Sequence, residues 1–134
     1  MDLKNIFSVQ LYPENSHGGK GALQKCRMWD QSDFETGLQY MDYVTLKPNE
    51  SIGIHTHGED EEIYVILKGY GNLYSNGQNL KVKPGDVIVN SFHDMHGLEN
   101  NSDTDMELFI FDVAKMEVKN GITNKWKSSS KRKW

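Results

Sequence analysis

Cysteine is almost missing from this sequence: Cys26 stands alone. One thiol cannot close an intramolecular disulfide, and a metal site built from cysteines is excluded. A chain without disulfides fits a reducing, cytoplasmic setting. Long apolar runs are missing as well. None approaches the roughly 18 residues a membrane helix needs. The first sixteen residues, MDLKNIFSVQLYPENS, lack the charged-then-apolar order of a secretory signal. No membrane partner is expected. No apolar stripe of helical period lasts beyond two turns, and no internal repeat is present. What remains is 134 residues, 37% hydrophobic and 25% charged. That is enough for one domain with a real core and too little for two.

Positive charge is scarce everywhere except at the C-terminus. Seven of the 15 basic residues and one of the 19 acids fall in residues 114–134. That segment carries +6, and residues 1–113 carry −10. An acidic body repels phosphate, so a nucleic-acid partner is not expected; only the tail could attract one. The organisation expected is a folded body over residues 1–113 and a basic, partly disordered tail over 114–134.

The body reads as short strands broken by Gly, Pro, Asn and Asp. Candidate strands are Ala22–Met28, Leu38–Leu46, Ser51–Thr56, Glu62–Lys68, Asn72–Ser75, Gln78–Val82, Val87–Asn90, His96–Glu99 and Met106–Val113. Glu62–Lys68, EIYVILK, is the strongest, rich in β-branched and aromatic residues. Asn76-Gly77 between two of the runs predicts a tight hairpin. Many short strands at this spacing indicate an all-β sandwich or closed barrel.

Four of the five histidines, His55, His57, His93 and His96, lie in two short segments beside predicted strands. On a strand, residues i and i+2 share a face, so His55-Thr-His57 presents two imidazoles side by side. Glu62 opens the next strand and shares a face with Tyr64 and Ile66. A hairpin could bring it opposite the pair, and His96 could add a third imidazole. Three imidazoles and one carboxylate suit a divalent Mn, Fe, Co, Ni or Zn ion with positions left open for a substrate. Glu59, Asp60, Glu61 and Glu62 form an acidic run; such a run is ordinarily a solvated loop with at most one member turned inward.

The full string resembles the cupin superfamily. That family's first motif is His-x-His, three or four residues, Glu, six residues, Gly. Here it reads His55-Thr-His57-Gly-Glu-Asp-Glu-Glu62-Ile-Tyr-Val-Ile-Leu-Lys-Gly69. The spacing to Gly69 selects Glu62 over Glu61. The second motif, a Pro-Gly turn followed by His and an Asn four positions later, is met by Pro84-Gly-Asp86 and His96-Gly-Leu-Glu-Asn100. The resemblance covers about Leu38 to Val113. Within the superfamily the chain is similar to small single-domain bacterial cupins, often labelled oxalate-decarboxylase-like, oxalate-binding or mannose-6-phosphate-isomerase-like. It implies a double-stranded β-helix, a jelly-roll barrel, with His55, His57, Glu62 and His96 as metal ligands. It also implies a homodimer. One departure is Gly53, which lies closer to the histidine pair than the family's glycine usually does.

The function expected is a small metalloenzyme acting on a small anionic, carboxylate-containing metabolite, of lyase, isomerase, decarboxylase or dioxygenase type. The alternative is a non-catalytic binding or sensor module. Tyr64 is the candidate catalytic residue, since a phenol beside a divalent cation is acidified and can act as general acid or base. His93 lies outside the motif and reads as a loop residue. Cys26 reads as a small buried side chain. Met28, Met41, Met95, Met106, Trp29, Phe34 and Phe92 are candidates for the pocket wall or a dimer contact. Gly18-Gly-Lys-Gly21 lacks the spacing of a phosphate loop.

Overall fold

Alternation of apolar and polar residues sets the architecture. The structure, a computed structural model, describes residues 1–119 and 122–124. Ten strands build the body: β1 (Tyr12–Glu14), β2 (Leu23–Asp30), β3 (Leu38–Leu46), β4 (Ser51–Thr56), β5 (Asp60–Lys68), β6 (Gly71–Ser75), β7 (Gln78–Val82), β8 (Val87–Asn90), β9 (Met95–Glu99) and β10 (Met106–Ala114). A short pair, β11 (Glu117–Lys119) and β12 (Ile122–Asn124), follows. The rest of the expected tail, residues 120–121 and 125–134, lies outside the described residues. The one helical element among the described residues is a single 3-10 turn at Gln31–Asp33, started by Asp30 through a reciprocal cap with Asp33. No helix is long and apolar enough to cross a membrane.

A six-stranded sheet in the order β1-β2-β3-β10-β5-β8 faces a four-stranded sheet in the order β4-β9-β6-β7. All pairings are antiparallel. From β3 onward the chain passes repeatedly between the two sheets, winding the double-stranded β-helix that the motifs imply. The core lies between them. Val44, Leu46, Tyr64, Ile66, Leu108 and Ile110 from the larger sheet meet Ile52, Leu73, Val82 and Leu98 from the smaller one. Burying one such side chain contributes about 1.5–3 kcal/mol.

The hairpin at Asn76-Gly77 forms as expected, with φ of 47° and 85° at the two turn residues. Both are left-handed, which asparagine tolerates and glycine adopts freely. Strands β3, β4, β7 and β8 match the expected limits. β5 starts two residues before Glu62, and β2 runs on to Asp30.

Candidate metal centre

One bulge decides where the histidines point. In the β4–β9 ladder Ile52 pairs with Leu98, and His55 pairs with His96. Two residues of β4, Gly53 and Ile54, thus stand between these pairs against one of β9, Gly97, a β-bulge. It resets the alternation. Ile52 faces the core at 5% exposure, Ile54 faces solvent at 55%, and His55 faces inward again. His57, just past the end of β4, follows on the same side. His96 comes from β9, and Glu62 crosses from the other sheet on β5, in register with Asp112 and Asn90.

These four side chains converge. His57 Nε2 lies 3.2 Å from Glu62 Oε1, His96 Nε2 lies 3.1 Å from it, and His55 Nε2 lies 3.7 Å from it. His55 Nε2 and His57 Nε2 are 3.2 Å apart. One donor atom from each of the four falls within 4.8 Å of all the others. Donors about 2.1 Å from a common ion would stand about 3.0–3.4 Å apart at octahedral or tetrahedral angles. The spacing fits.

The outer ring nitrogens fix the tautomers. His55 Nδ1 lies 2.7 Å from the Gly53 carbonyl, and His96 Nδ1 lies 3.3 Å from the Asp94 carbonyl. His57 Nδ1 lies 2.9 Å from Asp60 Oδ2. Carbonyls accept only, so the hydrogens sit on Nδ1 and the Nε2 lone pairs turn inward. Several inward lone pairs beside a carboxylate repel unless a cation sits among them. Without a metal, a proton takes that part: the hydrogen bond to Glu62 pushes His57 up to about 9. Burial alone would raise Glu62, but the imidazoles of His55, His57 and His96, which donate to it when protonated, and the Tyr40 hydroxyl outweigh it and hold the carboxyl far below its usual range. Tyr40 donates its hydroxyl to Glu62 Oε2, leaving Oε1 toward the imidazoles.

Tyr64 faces the same interior. It is 0% exposed, its ring meets the His96 ring edge-on at 5.9 Å, and its buried hydroxyl has no hydrogen-bond partner. Burial, followed by the Glu62 charge, pushes the phenol well up. An orphaned buried hydroxyl is costly and points to a missing polar occupant. A cavity of about 60 Å³ adjoins it, lined by His17, Arg27, Tyr40, His55, Glu62 and Tyr64 among others. Drug-sized ligands need roughly 300–1,000 Å³. This cavity takes a few waters or one very small molecule.

Several residues escape the sequence reading. Asp60 and Glu62 both turn inward from the acidic run, since they are two apart on one strand. Behind Asp60, Asp112 is 1% exposed, with one unpartnered oxygen; burial and Asp60 push its carboxyl up. Arg27 donates from Nε and Nη2 to Asp42 Oδ1 and Oδ2 at 2.9 and 3.0 Å and lies over the Tyr40 ring. The fifth histidine, His17, stacks on His55 with centroids 3.6 Å apart. Burial and His55 hold it below the ordinary imidazole range. Nothing local in the sequence marks it. His93 is exposed on the loop after β8 and does not join the cluster. Cys26 is half-buried and free. Met28 and Met106 are buried, and Met95 is exposed.

Comparison with known proteins agrees with this fold. Residues 42–113 match the family model described as Cupin domain. The chain is 32% identical over 105 residues to an oxalate-binding protein of Thermotoga maritima, covering 76% of this chain and 87% of that protein. A crystal structure of a predicted oxalate decarboxylase from Thermotoga maritima superposes with a TM-score of 0.82 at 26% identity, covering 85% of this chain and all of that one. A polyketide cyclase from Streptomyces resistomycificus shares the fold alone, with a TM-score of 0.71 at 21% identity over 85% of this chain and 79% of its own. Two sheets wound as a double-stranded helix, the paired motifs and the match over residues 42–113 together place the chain in the cupin family.

Proposed function

We propose that this cupin holds a divalent transition metal, Mn, Fe, Co, Ni or Zn, and uses it to bind and transform a small carboxylate of about the size of oxalate. One observation carries this reading: three imidazole nitrogens and one carboxylate oxygen converge beside a 60 Å³ cavity that also holds an orphaned tyrosine hydroxyl. The curated relative's oxalate-binding name supports the ligand class.

A bound ion would supply Lewis acidity and an anchoring charge for the carboxylate. The chain supplies the rest. His55, His57, His96 and Glu62 are the ligands, and the Gly53 and Asp94 carbonyls and Asp60 hold the imidazoles in orientation. Tyr40 holds Glu62. Tyr64 donates its unpartnered hydroxyl to a ligand oxygen, which makes it the candidate catalytic donor. Arg27, kept in place by Asp42, lines the same cavity and can offer an N–H to a ligand oxygen. Leu23, Val44, Ile52 and Ile110 close the apolar side of the cavity, and the lower local dielectric there strengthens these interactions.

The test is calorimetric titration of oxalate into metal-loaded protein, with oxalate consumption followed in parallel. One-site binding that vanishes in apoprotein supports the reading, and consumption establishes an enzyme. Binding without turnover of oxalate or other small carboxylates establishes the second reading, a binding module, which the relative's name favours. No binding with any of the five metals contradicts both.

The homodimer belongs to the same proposal. The outer face of the large sheet carries Ile63, Val65, Val87, Val89, Phe109 and Phe111 on adjacent strands, with Val87 and Val89 63% and 55% exposed. A contiguous apolar face of this kind favours association. Sedimentation should give a dimer, and Val89→Glu should shift it toward monomer. The cytoplasmic setting stays part of the proposal, supported by the lone free cysteine.

A further inference from the structure

Residues 16–20 belong to no strand, yet they are tied along β4. Gly53 N–H donates to the Ser16 carbonyl at 2.9 Å, Ser51 N–H to the Lys20 carbonyl at 3.0 Å, and Lys20 N–H to Ser51 Oγ at 2.8 Å. The approach is so close that a Cβ on Gly53 would stand 2.1 Å from the His17 carbonyl oxygen. A Cβ on Gly19 would stand 2.3 Å from the Ser51 carbonyl oxygen. The strap holds His17 at φ 51°, a left-handed backbone that side chains disfavour.

The product of this arrangement is the position of one ring. The His17 imidazole lies flat on His55, inclined by 8°, and lines the same cavity as Glu62 and Tyr64. His17 is also solvent-exposed as a residue, so it stands where the cavity meets solvent. None of its nitrogens belongs to the four-donor group. Neither nitrogen hydrogen-bonds to the protein among the described residues. The strap thus delivers a polar ring edge to the cavity mouth without adding a ligand to the ion.

We infer that His17 is a ligand-recognition residue: it hydrogen-bonds a carboxylate oxygen of the bound molecule from the cavity mouth and takes no part in holding the metal. This rests on the reading that a small carboxylate occupies the cavity. It adds a specificity element that lies outside both cupin motifs.

His17→Phe keeps a flat ring for stacking and removes both nitrogens, and His17→Ala removes the ring as well. Metal affinity is measured by competition with a chromophoric chelator, and ligand affinity by calorimetry with oxalate on metal-loaded protein. The inference expects His17→Phe to keep one equivalent of metal at parental affinity while oxalate binding weakens about tenfold, as loss of one hydrogen bond to a charged group does. Unchanged oxalate affinity in His17→Phe would show that the ring only walls the cavity and would overturn the inference. A fall in metal affinity would show that it positions His55, and would overturn it equally. If His17→Ala does not fold, the phenylalanine variant decides alone. If parental metal-loaded protein does not bind oxalate, the proposed function fails and the inference with it; a failure confined to the variants leaves that function standing.

Discussion

Asp60 illustrates how a single residue's neighbours define its work. Its carboxylate sits 2.9 Å from His57 Nδ1, and Asp112 is buried behind it. A carboxylate on the outer nitrogen fixes the tautomer and makes the inner nitrogen a better donor. Asp60→Asn should therefore weaken metal binding about 10–100-fold without removing a ligand. A chelator-competition titration checks this, and unchanged affinity would reduce Asp60 to a surface contact. The histidine pair and Glu62 were legible because strand period and motif spacing select them. Asp60 was legible in principle: two before Glu62 on one strand, it must share its face. It was hidden by the assumption that an acidic run turns at most one member inward. His17 and Arg27 carried no local signal, since only the three-dimensional path brings them to the cavity.

At the scale of elements, the bulge at Gly53–Ile54 governs the site. Without it, alternation from Ile52 would send His55 and His57 to solvent. A one-residue insertion shows only in pairing register, so the sequence could not reveal it. The displaced glycine, Gly53, was visible as a departure from the family pattern, and its reason is the strap at residues 16–20. Gly53→Ala forces a Cβ against backbone at 2.1 Å. It should cost about 1–3 kcal/mol, read as a Tm several degrees lower in calorimetry. Gly58→Ala, where a Cβ meets nothing within 4 Å, should stay within about 0.5 kcal/mol of the parent. Equal Tm values for the two variants would contradict the tight strap. Strand limits were legible where β-branched runs meet Pro, Gly or Asn, as at β3, β4, β7 and β8. The three-residue β1 and the single 3-10 turn were too short to raise a pattern.

At the scale of the whole molecule, the candidate centre joins the two sheets, with His55 and His96 on one and Glu62 on the other. Metal bound only by the folded chain must then raise Tm, and a chelator must lower it. The pH dependence has a definite sign. In the apoprotein His57 is raised from its ordinary 6.5 to about 9. Its stabilising contribution is full below about 6.5 and fades as pH climbs toward 9. In the metal-loaded protein the imidazoles must be neutral, so affinity falls as pH drops through the same range. The Tm gain from metal should therefore widen steadily from about pH 5.5 to 9 in paired calorimetric scans. A gain that narrows would contradict the assignment. The all-β class and the cupin family were legible because both motifs occur in order. Subunit pairing depends on a second copy, which no single chain's pattern specifies.

The central claim is that four named side chains hold one ion. Its most direct test is metal content by mass spectrometry on tag-free protein beside His96→Ala, each reconstituted with the five candidate metals and dialysed. The account predicts about one equivalent in the parent and almost none in the variant. No bound metal in the parent, or equal metal in both, would contradict it.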